Sequence, residues 1–248
     1  MINRSSVFLF ACLLSGLALV MVDPAFAGPG GKIASAVFDT FWGKILLAVL
    51  TILFAPIIIY VIYKEKRAER RTRRDLQVMA QHDPGFEWFK IRERAIDCFT
   101  RVHGAWREED MAEAAQWMTD WYWQNQQMAH LNRWAREGLV NHCDVKKITA
   151  IKPLMLLHCN EGAEHEGSLL VLSIEANMKD YLAERESGKV VEGSKKYKEV
   201  ETVWSFTRID GVWRVSNIEE DSFSLEYARE ALALPPLEEP DLARNNFR

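Results

Sequence analysis

The chain has 248 residues, a formal net charge of −4 and four cysteines, but these averages conceal three unlike zones. Residues 1–63 hold five charged side chains in all, residues 64–74 (KEKRAERRTRR) carry a net +5, and residues 75–248 carry a net −10. So acidic a body argues against a nucleic-acid-binding face, which depends on clustered cations, and four scattered cysteines without a CxxC pair argue against a disulfide framework and suit a reducing compartment.

In chain order, Arg4, the apolar run Val7–Val22 and Ala25-Phe26-Ala27 predict a signal peptide over residues 1–27, with an uncleaved first membrane helix as the alternative. Residues 28–44, opened by the helix-breaking Gly-Pro-Gly-Gly run, read as a short extracytoplasmic segment. Ile45–Tyr63 is 19 residues without a charge, close to the ~20 that cross a bilayer core. Phe41, Trp42, Tyr60 and Tyr63 flank it as interfacial aromatics do, and Pro56 inside it is of a kind that membrane helices tolerate.

Residues 64–82 follow as a basic juxtamembrane linker. Its cations Lys64, Lys66, Arg67, Arg70, Arg71, Arg73 and Arg74 are the expected topology signal and the expected membrane-binding residues. Each basic residue held near anionic lipid is worth ~1 kcal/mol. With only Lys32 and Lys44 on the other side, the positive-inside rule places everything from residue 64 onward in the cytoplasm of a bacterium, under a single-pass inner-membrane anchor. In an organelle the same side is the matrix.

Asp83-Pro84 reads as an N-cap followed by proline at the first helical position. Phe86, Phe89, Ile96, Phe99, Val102 and Trp106 then continue an amphipathic helix to about Arg107. Asp110 can cap a second short helix, and Thr119 or Asp120 a third that Gly138 closes. The period then changes to two: residues 145–157, 168–178, 198–208 and 212–218 read as strands, the last two joined at Ile209-Asp210-Gly211, while 183–197 reads as a long polar connection. Helices followed by an antiparallel sheet predict an α+β domain over residues 83–233, with the helices packed on one face of a curved sheet to form a cone with an apolar mouth. The Pro-rich, charged residues 234–248 read as a flexible tail.

Asp83-Pro84-x-Phe86, Ala105-Trp106 with Glu109-Asp110, Met118-Thr119-Asp120, Asp180-Tyr181, Gly188, Trp204-x-Phe206-x-Arg208 and Gly211-x-Trp213 together resemble the Tim44-like domain, over about Asp83 to Ile218. The resemblance implies a cone similar to nuclear transport factor two, and a non-catalytic scaffold at the inner membrane that takes part in membrane-protein transport or assembly. It also implies an apolar pocket for lipid or peptide. The mitochondrial import-motor tether of that family attaches peripherally; the membrane span and basic collar here depart from it and put chaperone recruitment in doubt. An anchored cone domain that binds or transforms a small molecule, and a ribosome- or translocon-docking adaptor, are the alternatives.

No catalytic or metal-binding set is expected, and no cofactor. His142-Cys143 and His158-Cys159 are adjacent pairs on strands, so their members point to opposite faces and do not easily share an ion. Asp97 and His103, six apart on one helix, project from different faces, and Tyr197 lies far off in sequence. Trp117, Trp121 and Trp123 exceed what one helical face buries, so one or more of them is expected to line the cone mouth or a membrane interface. Trp213 is expected in the core.

Overall fold

The structure, a computed structural model, describes residues 41–159, 165–235 and 237. The expected signal peptide and most of the expected tail lie outside the described residues. The chain divides into two compact units after Val61. In the first, residues 41–61 belong to helix α1, Phe41–Ala80, which is continuous through Pro56. Among the described residues this is the one helix long and apolar enough to cross a membrane, and its apolar window is not buried. Ile52, Leu53 and Ile59 stand exposed there, an arrangement that water penalises and lipid does not.

The second unit begins at Ile62 and corrects the expectation of a linker over 64–82. Residues 62–80 are helical, and Ala68, Thr72, Leu76 and Met79 are buried. Their spacing of four, four and three sets them on one face, and the Thr72 hydroxyl donates to the Leu154 carbonyl at 3.0 Å. The collar is therefore part of the folded domain.

Asp83 caps a 3₁₀ turn, Pro84–Phe86, by accepting from the Gly85 N–H at 2.6 Å. Helix α2 runs Trp88–Arg107 and buries Ile91, Ala95, Cys98, Phe99, Val102 and Ala105. Phe86 is wholly buried, but in the turn and not in the helix, so the apolar stripe restarts in a different phase. Phe89, expected on that stripe, is 65% exposed. The 3₁₀ segment Met111–Trp117 is capped by Asp110, which accepts from Ala112 N–H at 2.9 Å. Then come α3, Asp120–Gln126, a π-helical turn, Gln127–Leu131, and α4, Asn132–Arg136.

Four antiparallel strands follow in the order β1-β2-β3-β4: Leu139–Leu157, Leu169–Glu184, Val190–Ile209 and Val212–Glu220. All four expected strands are present and each is longer than expected. Residues 183–197, expected as a polar connection, are mostly the paired ends of β2 and β3, turning at residues 185–188. Gly193 lies in this arm at φ +81°, where a Cβ would stand 2.3 Å from the Asp180 carbonyl oxygen; only glycine allows the two strands so close. Register shifts at Val145/Lys147, Ile148/Ala150 and Pro153/Met155 bend β1 and curve the sheet.

Neighbouring residues on a strand face opposite ways, and both faces of this sheet are covered. Leu172, Trp204 and Phe206 pack with α2 in the main core. Val171 and Val203 point the other way and pack with Ala68 of α1 and with Ala228 and Ala231 of α5, Ser224–Ala233. Helix α5 completes a second, smaller core, so helices cover the sheet on two faces and not one.

Candidate functional site

Two side-chain clusters on the main-core face hold most of the buried charge and indole of the domain. One joins the Pro84–Phe86 turn to the β3–β4 hairpin. Arg208, only 3% exposed, makes an ion pair with Asp83 at 2.6 Å. Its guanidinium lies 4.8 Å from the Phe86 ring centre and 5.7 Å from that of Trp213. Phe86 and Trp213 meet edge to face at 5.4 Å, and the Trp213 indole donates to the Gly85 carbonyl at 3.0 Å. A Cβ on Gly85 would stand 2.4 Å from the Arg208 guanidinium, so residue 85 leaves the space that the arginine fills. The motif residues Asp83, Phe86, Arg208 and Trp213, 125 positions apart at the ion pair, are thus one packed lock.

The other cluster is the mouth of the cone. A cavity of about 250 Å³ is lined by His103, Trp106, Tyr122, His130, Asp180 and Trp204, among others. A second, of about 230 Å³, shares Trp106 and Asp180 with it and adds Trp134, Asn141, Glu192 and Lys198. The π turn at 127–131 carries His130 against Trp106 and Trp134, at ring-centre distances of 6.3 Å and 5.5 Å. Trp106 and Trp134 meet at 6.1 Å with planes 78° apart, and so form a corner.

Burial sets the charge states at this mouth. His103 donates Nδ1–H to the Phe99 carbonyl at 2.8 Å, and its ring lies tilted against those of Phe99 and Trp204, at ring-centre distances of 4.1 Å and 5.7 Å. Desolvation there lowers its pKa to about 4, which leaves a neutral imidazole with Nε2 as an acceptor. The Asp180 carboxyl is pushed up by burial, opposed by the Asn141 amide beside it.

Of the two places expected for Trp117, Trp121 and Trp123, the cone mouth and a membrane interface, the first is corrected: the cone cavities are lined by other residues. Trp117 donates its indole N–H to Asp97 and lies 4.9 Å from the Arg101 guanidinium, so it is fixed on the outside of α2. Trp123 is partly buried against the main core, and Trp121 is 70% exposed. None of the three lines the cone cavities. Asp97 also ion-pairs with Arg94 and Arg101, while Tyr197 donates to Asp144 at the exposed end of the sheet. The residues that reasoning from sequence missed are Trp106, His130, Trp134 and Asp180. His130 and Trp134, four apart, were a legible sign of one helical face, but neither stood in a motif.

The collar cations divide between two roles. Arg71 donates to the Leu232 and Leu234 carbonyls at the end of α5 and pairs with Asp75, so it serves as an internal cap. Arg73 pairs with Glu69 and lies 4.5 Å from the Trp88 ring. Lys66, Arg67, Arg70 and Arg74 are exposed, and lie about 180° around the helix from the buried Ala68–Met79 face.

Comparison with known proteins places these observations. A search of the solved structures finds the intermembrane space region of the chloroplast protein ARC6 at 8% identity and a TM-score of 0.36, covering 51% of this chain and 92% of that one. AclR from Streptomyces galilaeus is found at 13% identity and a TM-score of 0.23, covering 62% and 93%. Likenesses this faint bear on neither function nor mechanism. Among curated proteins nothing matches. The model of the Tim44-like domain, by contrast, matches residues 72–220. That range begins inside the collar helix, spans both halves of the lock and ends with β4, and on it the chain belongs to the Tim44-like domain family.

Proposed function

We propose that the protein is a membrane-anchored, non-catalytic binding scaffold. Its apolar helix is the single membrane span, its domain faces the cytoplasm, and its exposed collar cations meet anionic lipid. It acts on proteins of membrane-protein transport or assembly. The reading is carried by one juxtaposition: a helical segment apolar enough to cross a membrane is followed in sequence by the exposed stripe Lys66, Arg67, Arg70 and Arg74. Family membership supports the scaffold role, and the cone mouth supports a small ligand or a peptide side chain as part of what is bound.

At ~1 kcal/mol per basic residue, four exposed cations give the stripe about 4 kcal/mol of attraction to an anionic surface, screened by salt. The test is the full chain carrying C-terminal reporters, with and without Gln at the four positions. A reporter that works only in the cytoplasm should be active, and the Gln variant should retain less anionic lipid on purification at low salt. An exported, active C-terminal reporter would overturn the orientation. Unchanged lipid retention would remove the stripe's role.

A further inference from the structure

The second cavity at the cone mouth combines two features that recognise one class of ligand. Trp106 and Trp134 supply indole walls at a 78° corner. Beside them Asp180 and Glu192 supply negative charge, and Asp180 makes no direct ion pair among the described residues. Indole faces attract cations through the ring quadrupole, and more strongly once the cation has left water. From this arrangement we propose that the cavity binds an organic ammonium group, with its charge beside Asp180 and its methyl or methylene groups against Trp106 and Trp134. The inference rests on the reading of the domain as a binding module and names what the mouth accepts.

Other ligand classes fit less well. An anion would meet two carboxylates. A wholly apolar ligand would strip water from Asp180 without replacing it, a cost of at least several kcal/mol for an ionised group. For a metal ion, no group of three ligating side chains stands together among the described residues. Lys198 also lines the cavity and its charge acts on Asp180, but like Glu192 it is exposed, and it makes no direct ion pair with Asp180, so the carboxyl is left open to a second cation. The Trp106 indole N–H is buried without a hydrogen-bond partner among the described residues, and an oxygen near the ammonium, as in an amino alcohol or its phosphoester, would satisfy it. A volume of about 230 Å³ is on the scale of a headgroup and not of whole acyl chains, which would have to remain outside it. The ammonium can therefore belong to a free amine or to a lipid headgroup.

The probe is choline, titrated calorimetrically into the full chain in nonionic detergent, against its neutral carbon isostere 3,3-dimethylbutan-1-ol. Choline is expected to bind roughly tenfold more tightly, the scale of a desolvated cation–π pair joined by a carboxylate. Asp180→Asn should abolish that preference, and Trp134→Leu should weaken choline binding several-fold. If either variant fails to fold, the preference of the unaltered chain still decides. Equal binding of choline and the alcohol, or an unchanged preference in a folded Asp180→Asn, would overturn the inference. Soluble dibutyrylphosphatidylcholine separates the sources: displacement of choline at lower concentration points to a lipid headgroup, and failure to displace it points to a free amine. Either result leaves the ammonium chemistry standing. A null choline titration, with the reporter and anionic-lipid results intact, would sink this inference alone.

Discussion

The lock and the cone mouth are built from the same residue types, yet one is closed and the other is open. In the lock, Asp83 faces Arg208, the Trp213 indole has the Gly85 carbonyl, and Phe86 packs against both Arg208 and Trp213. In the mouth, Trp106, Trp134 and Asp180 border a cavity, and the Trp106 indole N–H has no partner among the described residues. A buried polar group without a partner costs stability; the Trp123 indole N–H is in the same state, so what sets Trp106 apart is the cavity that it borders. The lock therefore reads as the part that holds the domain together, and the mouth as the part that is used.

The sharpest way to break this contrast is Trp213→Ala. It removes a large buried ring, its edge contact with Phe86 and its bond to Gly85, and should cost ~3–5 kcal/mol by chemical denaturation. Choline binding should survive wherever the variant remains folded. Gly85→Ala is expected to cost about 1–3 kcal/mol, because the new methyl meets the Arg208 guanidinium and the turn must shift.

Acid should act more gradually, and on both clusters. His103 at the mouth and His158, hydrogen-bonded to His165 at 2.9 Å near the lock, are each held at about 4, below the ordinary 6.5, chiefly by desolvation. The unfolded chain therefore binds protons first as pH falls, so stability is full above about 6.5 and declines from there toward 4. A melting temperature flat across that window would contradict the burial of these rings, and His103→Gln should flatten only the part due to the mouth. The smallest effect belongs to Trp121→Ala. With the ring 70% exposed and outside both clusters, thermal stability should stay within about 0.5 kcal/mol and choline binding should not change.

Much of this was legible in the sequence. The four strands announced themselves by period two, and Asp83 and Asp110 by their place before helical runs; the lock's members were visible as motifs, though not as neighbours. The outer arm of β2 and β3 was hidden because residues 185–199 are largely exposed, so no apolar alternation marks them as paired strands. Helix α2 was found with its buried face partly right: Phe99 and Val102 are buried and Ile96 and Trp106 pack on the core, but Phe89 is not on it. Ala95, Cys98 and Ala105 are buried but weigh little in an apolar count, whereas the exposed Phe89 weighs much. In the collar, seven cations drowned the spacing of Ala68, Thr72, Leu76 and Met79. The mouth was least legible, because Trp106, Trp134 and Asp180 come from three elements that only the curved sheet gathers.

The collar helix also bears on the order in which the domain is completed. It is the first part of the second unit to be synthesised, yet its partners come late. Thr72 bonds to Leu154, 82 residues on, and Arg71 to Leu232 and Leu234, 161 and 163 residues on. Chain synthesis runs at ~5–20 residues per second, so the apolar side of this helix waits roughly 8 to 33 seconds for its last contacts to be made. Closure of the domain is thus a late, long-range event, and through that interval the nascent chain carries an uncovered apolar stripe on the segment that directly follows its membrane-spanning candidate.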